Sequence, residues 1–261
     1  MEGYKQRLSQ TFTLAELSAL YFSKNLMSFL GGAPFAQDLE AAFGKIREAL
    51  PARSLPYLAR IQDLFSARPD PWKDYSAKQD IIAQLIDAVL HQRRAALFYY
   101  SFNSKRTKTY TVDPYRLVYW HGGLYLYARA EEYGEVRTFA VERIEKIEVK
   151  DEAFEVPADF SVSEYARGAF GIAGGKPEPV EIAFDASVAG YIRERVWHES
   201  QSLEEGPGDG VTLRLNVAPG FELKNWIKGF LPHVRVVKPA SLRQEIAKEL
   251  EQARKSFAAK R

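Results

Sequence analysis

The hydrophobic period of the chain changes at Arg93, and that change limits the fold more than any other feature of the sequence. Upstream, apolar residues recur at helical spacing. Downstream, residues 96–102, 108–119, 124–130, 136–141 and 144–149 read as short strands rich in aromatic and β-branched residues. The separators are turn-like: Asn103 to Arg106, the tight hairpin signal His121, Gly122, Gly123, and Glu131 to Gly134. Pro114 interrupts the second strand and suits an edge or a bend. Five short consecutive strands cannot lie as one flat exposed sheet without leaving unpaired edges. A small closed barrel is the economical solution.

The flanks have different patterns. Thr13 and Glu16 form a capping-box signature ahead of Leu14, Leu17, Leu20 and Tyr21. A second helix fits 35–50, between Pro34 and Pro51, and a third begins near Ser54 with Leu58, Ile61, Leu64 and Phe65 on one face. After a break at 67–72, Ser76 and Gln79 form a second capping box before the apolar run 81–90. These helices are apolar on more than one side and need a partner. Residues 151–178 hold Pro157, Gly168, Gly171, Gly174, Gly175 and Pro177 and read as a linker with a short helix over 165–171. From 179 onward the order is strand 180–184, a helix capped by Asp185, strands 199–204 and 211–217 around the loop Gly206 to Gly210, helix 221–230, strand 234–237, and a last helix capped by Ser241. This βαββαβ order is the ferredoxin-like plan with an added helix. The expected class is therefore α+β: a helical segment over 1–92, a five-stranded Sm-like barrel over 93–150, a linker over 151–178 and a ferredoxin-like domain over 179–261.

Composition excludes several functions. The 261 residues contain no cysteine, so disulfides and thiolate metal sites are ruled out. Net charge is +2, too mild to argue for nucleic acid from bulk charge. The histidines at 91, 121, 198 and 233 lack metal-ligand spacing, and the Gly-Gly pairs fit neither a P-loop nor a dinucleotide fingerprint. Residues 1–10 lack a signal-peptide core, and no run reaches transmembrane length. The expectation is a cytoplasmic non-enzyme with no cofactor and no membrane partner.

The barrel segment resembles the WYL domain. The residues that carry the resemblance are Asp113, Pro114, Tyr115, Arg116 and Leu117, then Gly123 to Leu126, Arg137 to Phe139, and Glu142 to Ile144. The family's name triplet falls on Leu124, Tyr125 and Leu126, with Leu in place of Trp, and the usual Asp before the Arg-Ile pair is Glu142. The C-terminal segment resembles the extension that follows WYL domains, through Val180 to Phe184, Arg195 to His198, Ser200 and Gln201, Phe221 to Trp226 and Val236 to Pro239. The resemblance implies the sensing and dimerising part of a bacterial transcription regulator. Such regulators begin with a winged helix-turn-helix that binds double-stranded promoter DNA, and residues 1–92 show no recognition helix followed by a wing. The expectation is a homodimer without that DNA-binding head.

The resemblance further implies a nucleic-acid or nucleotide-like effector, and single-stranded DNA suits the residue types. Arg137 and Phe139 share one face of a strand; Tyr125 and Tyr127 share a face of the preceding strand, which the hairpin could set across from them. Arg143 follows one strand on. Guanidinium groups pair with phosphates and aromatic faces accept bases. Arg106, Lys108 and Arg116 are further phosphate candidates, and Arg195 and His198 could reach the ligand from the extension. Several have a bland alternative: Tyr125 and Phe139 fit a barrel core, Arg143 fits a cap or ion pair, and Arg106 and Lys108 fit a solvated loop. Two further functions stay open, a sensor for a nucleotide messenger or metabolite and a purely structural dimerisation module.

Overall fold

Five strands make the first sheet: β1 (Arg93–Ser101), β2 (Arg106–Trp120), β3 (Gly123–Ala130), β4 (Glu135–Ala140) and β5 (Ile144–Ala153). All pair antiparallel, in the order β4-β3-β2-β1-β5. The two outermost strands are thus consecutive in sequence, joined only by the 3-10 turn Val141–Arg143. In a flat sheet they would stand about 19 Å apart, at roughly 4.8 Å per strand. Three residues rising about 2 Å each cannot span that gap, so the sheet curls on itself, as an Sm-like barrel requires. The side chains that point inward form one core: Leu97 and Tyr99 from β1, Val112 from β2, Leu124, Leu126 and Ala128 from β3, Phe139 from β4, and Ile144 and Ile147 from β5. They recur at every second position in β1 and β3, as the strand period demands, and the register shift of β5 against β1 between Phe98 and Tyr99 sets Ile144 and Ile147 three apart. The register shift of β2 against β3 between Pro114 and Arg116 falls where proline was expected to bend the strand.

A computed structural model of the protein describes residues 12–26, 34–50, 55–64, 71, 73–102 and 104–258. Ahead of the barrel are α1 (Leu14–Leu26), α2 (Pro34–Ala49), α3 (Leu55–Leu64) and α4 (Gln79–Leu90). The capping box at Thr13 forms: Glu16 N–H donates to Thr13 Oγ1 at 3.2 Å, and Thr13 N–H donates to Glu16 at 2.6 Å. The one expected at Ser76 does not. Ser76 N–H donates to Asp74 Oδ1 at 2.9 Å, residues 76–78 tighten into a 3-10 turn, and α4 starts without a side-chain cap. Asp74 is nearer in sequence and captures the group first, as an Asx turn does. Most of the break expected at 67–72, and Phe65 on the third helix, lie outside the described residues. Ile82 and Leu85 of α4 are buried in the barrel core, so this helix closes the barrel's underside. The strap before it is tied down too: Lys73 N–H donates to the Gly122 carbonyl at 2.9 Å, and the buried Tyr75 hydroxyl accepts from Leu124 N–H at 2.6 Å.

The chain divides into two units, Met1–Val156 and Pro157–Arg261. The second contains α5 (Val162–Ala166), β6 (Glu178–Phe184), α6 (Ala186–Arg193), β7 (Ser202–Glu205), β8 (Val211–Val217), α7 (Phe221–Lys228), β9 (Val234–Lys238) and α8 (Ala240–Ala258). The sheet order β7-β8-β6-β9, all antiparallel, is the ferredoxin-like order. Asp185 caps α6, accepting from Ser187 N–H at 3.1 Å. The Ser187 hydroxyl and then His233 hold its carboxyl below the usual range. Ser241 is not the cap expected of it, since α8 already includes Ala240. Glu245 and Glu249 pair with Lys224 at 3.1 Å and Lys228 at 2.6 Å, fastening α8 to α7.

Part of the presumed linker is built structure. Gly168 carbonyl accepts from Ala218 N–H at 2.6 Å, Phe170 packs on Trp226, and a Cβ at Gly175 would stand 2.7 Å from that of Ala218. Gly210 is as tightly placed. A Cβ there would lie 2.6 Å from the Phe184 carbonyl oxygen and 3.2 Å from that of Pro207, both backbone. Gly210→Ala is expected to cost the C-terminal unit about 1–3 kcal/mol, read as a lower urea midpoint. A loss near zero would mean that the β7–β8 loop can shift freely.

Candidate functional site

A pocket of about 220 Å³ opens at one mouth of the barrel, lined by Tyr99, Ser101, Phe102, Tyr110, Arg137, Thr138, Phe139 and Arg143. Its floor is aromatic. Tyr99, Tyr110 and Phe139 contact one another edge-on, with ring centroids 5.3–6.2 Å apart, and the Tyr99 hydroxyl accepts from Ala140 N–H at 3.4 Å. Tyr110 joins the cluster from the margin. Burial, then the neighbouring Tyr133 hydroxyl, pushes its phenol up.

Two arginines flank the floor, each with its guanidinium laid on an aromatic ring. Arg137 lies over Tyr133, 3.5 Å from the ring centroid, and Arg143 lies over Phe102 at 3.9 Å. Both rings come from hairpin turns and are well exposed, Tyr133 at 46% and Phe102 at 60%. The arginines differ at their edges. Arg137 Nε and Nη2 both donate to Glu135 Oε1, at 3.1 and 2.8 Å. Arg143 makes no ion pair among the described residues, and its Nε is buried without a hydrogen-bond partner. A stranded donor of that kind costs free energy until something accepts from it.

Of the residues singled out from sequence, Arg137, Phe139 and Arg143 meet at this mouth. Tyr125 and Tyr127 do not join them. The β3–β4 register pairs Tyr125 with Ala140 and Tyr127 with Thr138, whereas Arg137 faces Ala128 and Phe139 faces Leu126. Directly paired residues share a face, so an offset of one residue puts both tyrosines on the opposite side of the sheet. Tyr127 is buried there, and the Tyr125 ring sits 5.3 Å from Lys73 Nζ and against Gly123. Arg116 pairs with Tyr127 and is exposed on that same outer side. Arg106 and Lys108 are exposed and pair with Ser101 and Tyr99, which puts them on the pocket's side of the sheet without lining it. Leu124, in the place of the family's Trp, is buried in the core, so that replacement alters packing and not the mouth.

Arg195 and His198 belong to the C-terminal unit. Arg195 stacks on Tyr191 at 3.6 Å and donates to the Tyr191 carbonyl at 3.2 Å. His198 Nδ1 accepts from Ser200 N–H at 3.1 Å. Trp197 is partly buried against this unit's core, its Nε1 donating to the Ile192 carbonyl at 3.0 Å. A second cavity of about 490 Å³ lies within this unit, between Tyr165, Arg167, Gly175, Glu199 and Asn216. Arg167 is held there by Glu164 and by Glu199 at 3.5 Å.

Sequence reasoning passed over Tyr99, Tyr110, Phe102, Tyr133 and Glu135. Glu135 was within reach, because residues i and i+2 of a strand share a face. The two capping rings were not, because both lie in turns whose direction only the folded hairpins set.

The fold defines a class: a curled five-stranded barrel and a ferredoxin-like domain in one chain. The chain carries two known domains: residues 80–149 match the WYL domain, and residues 176–254 match the WCX domain. Among solved structures it is similar to proteasome accessory factor B/C (PafBC) of Arthrobacter aurescens, at 20% identity and a TM-score of 0.37, covering 95% of this chain and 36% of that one. It is also similar to a CRISPR Cas-related protein, at 12% identity and a TM-score of 0.50, covering 82% of this chain and 60% of that one. The chain thus spans less than two thirds of either. No curated protein matches the sequence. No helix among the described residues is long and apolar enough to cross a membrane.

Proposed function

We propose that the chain is the effector-sensing and dimerising part of a bacterial transcription regulator, and that its barrel mouth binds single-stranded DNA or a related oligonucleotide. One observation carries the reading: two ring-backed arginines flank an aromatic-floored pocket, and one has a buried donor with nothing to bind. Phosphates suit the guanidinium edges, and an unstacked base suits the rings. Arg106 and Lys108, on the same side of the sheet, extend a basic track for a strand leaving the pocket. A cytoplasmic homodimer would relay binding to a separate DNA-binding domain as a shift between two dimer arrangements, which requires that the ligand prefer one of them.

A small nucleotide is the second reading, since the same rings and guanidinium edges suit a single base and phosphate. At about 220 Å³ the pocket falls below the range usual for whole small-molecule ligands and would enclose only one phosphate or base of it. A fluorescence-anisotropy titration with a labelled oligothymidylate separates the two. Oligonucleotide binding is expected to weaken with salt, log K falling by about 0.7 per phosphate contact for each unit of log salt. No binding at low salt by the folded protein would remove the oligonucleotide reading. Full competition by an equimolar mononucleotide would favour the second.

A further inference from the structure

We infer that Glu135 is a built-in competitor for ligand phosphate at Arg137, so that the mouth rests with one arginine free and the other quenched. The inference rests on the oligonucleotide reading above and adds a residue that sets its affinity. The two arginines are matched in their faces and unmatched in their edges. Arg137 presents its Nε–Nη2 edge to one carboxylate oxygen of Glu135, and Arg143 has no carboxylate partner among the described residues. That edge is the fork that a phosphate takes bidentately. Glu135 therefore occupies the position the ligand needs.

The contact is well suited to exchange. It joins neighbours two apart on β4, so it fastens no distant elements together. Both partners are exposed, Arg137 at 41% and Glu135 at 61% of their side chains. Glu135 begins β4 directly after Gly134, whose φ of +67° closes the turn, and it can swing to solvent without disturbing the ladder. Tyr133 keeps the guanidinium in place while its edge changes partner. The nearby Glu132 accepts from Thr111 N–H at 2.8 Å and is engaged elsewhere. A ligand can take Arg143 first and then displace Glu135 from Arg137, and an anion too weak to make that exchange holds only half the site.

The test compares binding of a labelled oligothymidylate at low and moderate salt by the full chain and four variants. Glu135→Gln keeps the shape and removes the charge. Glu148→Gln removes the same charge from β5, where Glu148 pairs with Lys146 and not with Arg137. Arg137→Ala and the double variant with Glu135→Gln complete a cycle. The expected result is about fivefold tighter binding by Glu135→Gln, the size of a broken exposed ion pair. Glu148→Gln should be unchanged, and the gain should vanish in the Arg137→Ala background. If the wild type binds and Arg137→Ala weakens it, but Glu135→Gln matches the wild type, the competitor role is wrong and the oligonucleotide reading stands. A gain that persists without Arg137, or that Glu148→Gln reproduces, means a general field effect and also overturns the role. No binding by either wild type or Glu135→Gln overturns both.

Discussion

Asp113→Ala is expected to destabilise the barrel unit by about 2–3 kcal/mol. Asp113 is 6% exposed and sits in β2 between two cations. It accepts from Arg94 Nε at 2.9 Å and lies 3.4 Å from Arg129 Nη1. Removing one partner of a fully buried pair typically costs 3–5 kcal/mol, because the other charge is left without compensation. The figure is lower here because the arginine side chains are 24% and 40% exposed. Arg94 also keeps Glu152, at 3.1 Å. Asp113→Asn should cost a similar amount, since the missing charge is the larger loss. Hydrogen exchange of the barrel amides as a function of urea measures it. A change below about 0.5 kcal/mol, the range of an ordinary surface substitution, would show that the two arginines reach solvent without cost. Asp113 is among the residues that carry the family resemblance, and the structure gives it a structural task away from the mouth.

The double variant Arg137→Ala/Arg143→Ala is expected to weaken oligonucleotide binding by on the order of 100-fold. Hydrogen bonds to charged groups are worth about 1.5–3 kcal/mol each, and the variant removes the fork on both sides of one pocket. The salt dependence should fall with it, since two phosphate contacts are lost. Stability should change little: Arg143 makes no ion pair among the described residues, and Arg137 makes only an exposed one. Binding within threefold of wild type would place the ligand elsewhere on the chain. The C-terminal cavity around Arg167 would then be the next site to test.

Much of the fold was legible in the sequence because its signals are local. The alternation of β3 and the turns at 121–123 and 131–134 identify the strands by period and by backbone need. The helix-strand order after residue 178 identifies the ferredoxin-like plan. What failed was equally local. Ser76 and Ser241 look like caps by type and spacing, but Asp74 reached the N–H of Ser76 first, and α8 began a residue before Ser241. The glycines at 168 and 175 read as linker, yet a Cβ at Gly175 would stand 2.7 Å from that of Ala218, and one at Gly168 would press on Pro177 at 3.1 Å.

The site divides the same way. Sequence by itself determined that Arg137 and Phe139 share a face, because an extended backbone turns successive side chains to opposite sides whatever the neighbouring strand. It also determined the five-strand run whose ends must be brought together. Only the tertiary structure decided which neighbours that face meets. The β3–β4 register, offset by one residue from the expected pairing, turned Tyr125 and Tyr127 to the outer side. The curl of the sheet brought Tyr99, Tyr110 and Arg143 to the mouth from strands and a turn far apart in sequence. Register and closure depend on how whole strands bury their faces together, so no single segment of the chain encodes them.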